Sequence, residues 1–170
     1  MRPRNLATGI TGALVVVGLC LVQPTMARAA GGGGDGGDGG SAALANPTFS
    51  AAIKSVDSAD YNAAIPLLMD VVTADAGNAD AFNYLGYSHR KLGDYELSLD
   101  AYQKALAIEP SHRGALEYLG ELYLKTGRLA LAKQQLEKLD DACLFGCAEY
   151  TALKTRITDH QSGTTSPQSE

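Results

Sequence analysis

Two cysteines near the carboxyl end, Cys143 and Cys147, have a spacing that could support chemistry. On a helix or a tight turn, residues four apart bring their Cα atoms near the separation of about 5.5 to 6 Å that a disulfide prefers. We therefore predict a structural disulfide, which constrains the unfolded chain by about 2 kcal/mol in the loop-entropy account.

Thiol redox chemistry and metal binding are the alternatives for this pair. Redox pairs are usually C-x-x-C beside a βαβ unit, whereas this pair is C-x-x-x-C in a helical context. Zinc needs two further ligands, and His112 and His160 have no spacing that recommends them. We predict no metal ligand and no cofactor.

The remaining polar residues show no pattern typical of catalysis. No Ser-His-Asp or Cys-His ordering and no phosphate-binding glycine loop stands out. His89 is predicted to pack inside a hairpin, and His112 follows Pro110 at a polar turn. We therefore predict that the chain is not an enzyme and has no catalytic residue.

The amino-terminal segment predicts export. Arg2 and Arg4 precede an apolar run over residues 10–22, and Ala27-Arg28-Ala29 has the small residues that a signal peptidase accepts. We predict a signal peptide over residues 1–29, cut after Ala29, and a periplasmic or secreted protein. Since the compartment is then oxidising, a disulfide is favoured.

Two other interpretations of this segment remain. A membrane anchor needs roughly 20 apolar residues, more than this run contains, so we expect no membrane insertion of the mature chain. Cys20 could be lipidated in an envelope-assembly component, although Leu19 differs from the small residue that usually precedes such a cysteine.

Net charge limits the partners. The chain carries a net charge of −5, and removal of residues 1–29 takes away three arginines and no acid, which makes it −8. Because phosphate binding needs a basic surface, nucleic acid is excluded as a partner. An anionic membrane surface is disfavoured for the same reason.

Composition separates flexible segments from a folded centre. Residues 30–45 are rich in Gly and Asp and contain almost nothing to bury, so we predict a flexible linker rather than calcium-binding repeats. Asn46 and Pro47 predict the first helix start. The polar residues 159–170 are predicted to be a disordered tail.

Between these segments the sequence repeats at a regular interval. The interval separates Leu85 from Leu119 and Gly86 from Gly120. It matches the period of about 34 residues that is typical of helical hairpins. The frame predicts three all-α units and a final helix that caps the solenoid. The units are 45–78, 79–112 and 113–146, and the cap is 148–158.

Glycine and proline refine this prediction. Gly86 and Gly120 lie inside helices, where glycine costs about 1 kcal/mol, so we expect a close neighbour at each. Gly93 and Gly127 are expected to end their helices in the left-handed conformation. Pro66 lies inside the second helix, where we expect a kink.

The second and third units resemble the tetratricopeptide repeat family. The matching positions include Leu-Gly pairs, a turn glycine, small residues and aromatics. They are Phe82, Leu85, Gly86, Gly93, Ser98, Tyr102, Ala105, Pro110, Leu119, Gly120, Tyr123, Gly127 and Ala132. His89 replaces an aromatic, the third unit lacks the closing proline, and the first unit is a weaker, terminal repeat.

The resemblance implies a concave groove, lined by the first helices, that binds a peptide or protein. Some family members hold a terminal carboxylate there with Lys, Asn and Arg, but the corresponding positions here lack these residues, so no such ligand is implied. The residues carried over to the groove are Phe49, Ile53, Asp80, Asn83, Tyr87, Arg90, Glu117, Glu121 and Leu124.

Taken together, the sequence predicts a secreted, non-enzymatic adaptor of the cell envelope. Tyr87 and Arg90 are the expected central anchors, because aromatic and Arg side chains carry most interface hot spots. The partner segment is expected to place an apolar residue near Phe49 and Ile53, although these two could instead pack under the linker. A basic residue of the partner segment is expected near Glu117 and Glu121. The partner's identity stays open, as does self-association.

Overall fold

The computed structural model describes residues 46–144 and 146–163, and among these it forms seven α-helices and no β-strand. Six helices pair into three hairpins and the seventh follows the last hairpin, which confirms the predicted all-α repeat architecture. The helices are α1 (Pro47–Asp57), α2 (Tyr61–Ala74), α3 (Ala79–Leu92), α4 (Tyr95–Ile108), α5 (Arg113–Lys125), α6 (Leu129–Ala142) and α7 (Ala148–Ser162).

Polar side chains begin the first hairpin's helices. The Asn46 side chain accepts hydrogen bonds from the backbone N–H groups of Thr48, at 3.0 Å, and Phe49, at 3.1 Å, and Pro47 takes the first helical position. Asp60 caps α2 in the same way. These bonds satisfy N–H groups that lack a partner within the helix, and each cap contributes about 1 kcal/mol. The predicted start at Asn46 and Pro47 is confirmed.

The turn inside each hairpin contains one residue in the left-handed conformation. Gly93 has φ 89° and Gly127 has φ 72°, which confirms the role predicted for both. The equivalent residue of the first hairpin is Ala59, with φ 58°. Because a Cβ disfavours this conformation by about 1–2 kcal/mol, the first turn is locally less favourable than the other two.

The two interior glycines allow close helix packing, as predicted. A Cβ on Gly86 would lie 2.6 Å from Cδ1 of Tyr102, and a Cβ on Gly120 would lie 2.5 Å from Cδ2 of Leu153. Such separations are far inside van der Waals contact. Glycine is therefore required where α3 meets α4 and where α5 meets α7.

The apolar side chains form two buried clusters that meet at Phe82, which packs against both. One cluster lies mainly in α1 to α3 and includes Phe49 and Leu68, and the other extends from α4 to α7 and includes Tyr102 and Leu116. Each large side chain buried in this way stabilises the fold by about 1.5–3 kcal/mol. The three hairpins are therefore held together by apolar contacts that continue from one cluster to the other.

Pro66 lies inside α2 and is exposed. The helix continues through it to Ala74, although a proline at this position removes one backbone hydrogen bond. The kink expected here stays a prediction.

Helix α7 occupies the place where a fourth hairpin would begin. Leu153, which follows Leu119 by one repeat period, is fully buried, and Ile157 is buried one turn later. Lys154, Thr155 and Thr158 are exposed, so α7 presents a polar side to solvent, as a cap requires. The predicted end at residue 158 is wrong, since α7 continues to Ser162.

Several predicted segments lie outside the described residues: the signal peptide 1–29, Cys20, the linker 30–45 and the last part of the tail, 164–170. No helix within 46–144 and 146–163 is both long and apolar enough to span a bilayer.

Candidate protein-binding face

The first helices of the three hairpins lie side by side, and α7 extends the row. Contacts join α1 to α3, α3 to α5 and α5 to α7. We call the outward surface of this row the first-helix face. All residues predicted for the groove belong to α1, α3 or α5, but they differ widely in burial.

Five of the predicted groove residues are half-buried, and so reach solvent in part. They are Ile53, Asp80, Tyr87, Glu117 and Leu124. Phe49, although predicted to line the groove, does not reach solvent, because its side chain is 1% exposed and its ring packs edge-on against Tyr84 at 5.8 Å. Phe49 belongs to the core.

Arg90 is also not a free anchor. It is 8% exposed, and its Nη1 lies 2.8 Å from Oε2 of Glu121, which is itself 6% exposed. Arg156 on α7 forms an ion pair with the other oxygen of the same carboxylate. One buried glutamate therefore joins three successive helices of the row, α3, α5 and α7. Removing one partner of such a group costs about 3–5 kcal/mol, because a charge is left buried without compensation.

Tyrosine rings surround the Arg90 guanidinium. Its Cζ lies 5.3 Å from the ring centre of Tyr87 and 5.4 Å from that of Tyr118, which is within cation–π range. The Tyr87 ring lies 5.0 Å from Tyr118 and 5.9 Å from Tyr61, so the three form an aromatic row. We call Tyr61, Tyr87 and Tyr118, all half-buried, the tyrosine row.

Sequence reasoning did not assign Tyr61, Tyr118 or Arg156 to the site. A signal for Tyr118 existed, because it follows Tyr84 by one repeat period. No such signal existed for Arg156, because the residue one repeat period after Glu121 is Thr155. Only the packing of α7 against α5 brings Arg156 to this carboxylate.

Burial shapes the electrostatics of the face. Burial raises the pKa of the Glu117 carboxyl to about 7, and the nearby carboxylates of Glu121 and Glu149 act in the same direction. Burial and the negative charge of Glu117 raise the pKa of Tyr118 as well. For Arg90, burial opposes the charge, but Tyr102 and Glu121 outweigh it and raise the pKa. Arg90 is therefore cationic at every physiological pH.

Comparison with known proteins identifies the repeat. The family described as tetratricopeptide repeat matches residues 79–112, which are α3, α4 and the following turn. A curated relative, the uncharacterized protein ycf37 of Guillardia theta, is 32% identical over 107 residues. The match covers 61% of this chain, and the chain spans 60% of that relative's length.

Residues 79–112 of the chain are a tetratricopeptide repeat.

Solved structures share the fold of this repeat protein. The type III secretion chaperone SycD of Yersinia enterocolitica, in complex with a peptide of the translocator YopD, has a TM-score of 0.59 at 20% identity, over 69% of this chain and 88% of that one. The first tetratricopeptide domain of human RPAP3 has a TM-score of 0.61 at 17% identity, over 68% and 90%. At these identities the likeness shows the fold alone.

Asp80, although predicted for the groove, joins two of the repeat units. His112 accepts a hydrogen bond at Nδ1 from the N–H of Ala115, 3.2 Å away, and so caps α5. Its Nε2 therefore carries the proton and donates to Oδ1 of Asp80 at 3.0 Å. His112 follows the turn after Pro110, as predicted, but it is 4% exposed and forms a buried link between α3 and α5.

The cysteine pair lies at the end of the third repeat unit. The sulfur atoms of Cys143 and Cys147 are at bonding distance, and their Cα atoms are 5.7 Å apart, as the spacing predicted. The pair spans the turn between α6 and α7, and Cys143 contacts the buried cluster. No group of His, Cys, Asp and Glu in the described parts of the chain has the geometry to hold a metal ion. The structural role of this bond stays a prediction.

Proposed function

We propose that this tetratricopeptide repeat protein is a non-enzymatic adaptor that binds a segment of another protein on its first-helix face. The tyrosine row carries this proposal. Three half-buried tyrosines follow one another across the hairpins. The Arg90 guanidinium, which is paired with the buried Glu121, lies against the rings of Tyr87 and Tyr118. Rigid aromatic side chains with a polar end supply much of the energy of protein interfaces.

Proteins of similar fold support the proposal. SycD was solved in complex with a peptide of the translocator YopD, and PcrH in complex with the chaperone binding region of PopD. PcrH has a TM-score of 0.58 at 18% identity, over 69% of this chain and 88% of that one. These proteins show that a fold of this kind can hold a peptide. By analogy we propose that the bound segment of the partner protein lies across α1, α3 and α5.

We further propose that the adaptor works in the cell envelope. The support comes from the sequence, through the signal peptide predicted over residues 1–29, and from the paired cysteines. The mature amino terminus distinguishes an exported protein without an anchor from a lipid-anchored one. Mass spectrometry of the exported protein should find Ala30 first, whereas a lipidated Cys20 would indicate an anchored component.

The test of the binding face replaces one tyrosine and spares the ion pairs. Tyr87→Ala should reduce retention of the partner on the tagged full chain by about tenfold or more, because hot-spot aromatics contribute about 2 kcal/mol or more. The matched control is Leu97→Ala, which removes an apolar side chain that is 55% exposed on α4, outside the first-helix face. Circular dichroism should show both variants folded. Equal retention by Tyr87→Ala and wild type would remove the binding face from consideration.

A further inference from the structure

The acidic residues between α5 and α7 outnumber the cations available to them. Glu117 interacts electrostatically with two other carboxylates and two arginines, which are Glu121, Glu149, Arg90 and Arg156. Both arginines form their ion pairs with Glu121. Glu117 therefore has no ion pair with any residue that the structure describes, although it lies half-buried on the first-helix face.

A second unsatisfied group lies on α3, the helix next to α5 in the row. Asn83 on α3 is 6% exposed, and its side-chain Oδ1 accepts no hydrogen bond within the described part of the chain. Its Nδ2 lies 3.1 Å from the position that a Cβ on Gly114 would take. Gly114 and Glu117 are three residues apart on α5 and so share one face of that helix. The Asn83 amide thus packs against the helix face that carries Glu117.

These acceptors define what they can bind. We propose that Glu117, together with Asn83, forms a subsite that binds an arginine side chain of the partner segment, an inference that rests on the proposed function. A carboxylate and an amide oxygen both accept hydrogen bonds, and a guanidinium offers five N–H donors in a planar fork. Its charge also supplies the cation that Glu117 lacks.

The neighbouring tyrosines complete the subsite. Tyr118 follows Glu117 in α5, and its ring already lies over the Arg90 guanidinium. A planar guanidinium can stack on aromatic faces as well as pair with a carboxylate, whereas an ammonium is a compact, strongly hydrated charge. Arginine therefore fits this place better than lysine.

The subsite makes binding depend on pH. Glu117 interacts with Glu121 and Tyr118 on its own helix, with Glu149 and Arg156 on α7, and with Arg90 on α3. Burial raises its pKa to about 7, so a proton and a guanidinium compete for the carboxylate near neutral pH. Affinity for an arginine peptide should therefore rise by about tenfold from pH 6 to pH 8.

The test begins with a phage-displayed library of short random peptides, selected at pH 8 on the immobilised full chain. We expect arginine to be enriched at one peptide position. The best peptide is then made with arginine or with citrulline, which has a similar shape without the charge, and its affinity is measured by calorimetry. Citrulline and Glu117→Gln should each weaken binding by about tenfold. Glu137→Gln, on the exposed side of α6, should leave it unchanged.

The outcomes separate this inference from the proposed function. Peptides that bind without arginine, and that bind Glu117→Gln as well as wild type, would overturn the arginine subsite and leave the adaptor function standing. If the wild-type chain retained no peptide, both proposals would be overturned. The subsite would be supported if replacing arginine by citrulline in the peptide, and Glu117→Gln in the chain, each weakened binding while the control variant did not.

Discussion

The first hairpin, α1 and α2, and the second, α3 and α4, fold alike but use different residues at equivalent repeat positions. Where the second has Gly86 against Tyr102, the first has Ala52 and Leu68, both fully buried. The turn contains Gly93 in the second and Ala59 in the first.

The comparison shows what a helical hairpin needs. Across the packed pair, the larger ring of the second hairpin faces the smaller glycine, and the smaller leucine of the first accompanies alanine. Close packing requires such matched volumes more than any particular residue. The family match confined to residues 79–112 therefore reflects residue identity, while the first hairpin keeps the same geometry with a different set.

The largest expected effect comes from the position that is Arg90 in the second hairpin and Val56 in the first. Arg90→Val should lower the free energy of unfolding by about 3 kcal/mol, because it leaves the buried Glu121 with one of its two cations. Urea denaturation followed by circular dichroism measures the change.

The control for this substitution is Lys91→Val, which removes the same charge from an exposed neighbour in α3. It should change stability by no more than about 0.5 kcal/mol. If Arg90→Val changed the free energy of unfolding as little as its control, the ion pairs of Glu121 would not hold α3, α5 and α7 together.

A smaller effect is expected at the contact between α3 and α4. Gly86→Ala should destabilise the protein by about 2 kcal/mol, because the new Cβ meets the Tyr102 ring. Adding Tyr102→Leu transfers the first hairpin's pair into the second and should recover part of that loss. Thermal melting of the two single variants and the double variant gives the coupling. Strictly additive effects would contradict the steric account.

The smallest effect sharpens the comparison of the turns. Ala59→Gly should stabilise the protein by about 0.5–1 kcal/mol, because glycine adopts the left-handed conformation without a Cβ penalty. Gly93→Ala, the reciprocal change, should destabilise it by about 1 kcal/mol. Denaturation midpoints of the two variants test the pair, and shifts of the same sign would refute the argument.

Much of the fold follows from the sequence pattern. The regular interval between the Leu-Gly pairs indicated the hairpins, and Asn46-Pro47 marked the first helix start that the structure has. These features are local, since caps, turn conformations and helical periodicity depend on residues a few positions apart. The end of α7 was missed, because no strong stop precedes Gly163.

The sequence described the first-helix face only in outline. Repeat position determines which way a Cβ points, so the residues predicted for the groove all lie on α1, α3 or α5, and Tyr87 and Glu117 among them reach solvent in part. It could not determine that Phe49 enters the core, nor that Arg90 is committed to Glu121. Long side chains select partners from neighbouring helices, and local spacing does not encode those partners.

The sequence by itself therefore determined the repeat, its helices and its close-packed glycines, because each depends on short-range geometry. Only the tertiary structure decided which residues of the first-helix face remain accessible and which charged side chains form ion pairs within the protein. Arg156 shows the reason, since it reaches Glu121 from a different helix, one that begins only at Ala148. Packing of α7 on α5 creates that ion pair, and both arginines are then paired with Glu121, so that Glu117 has no ion pair among the residues that the structure describes.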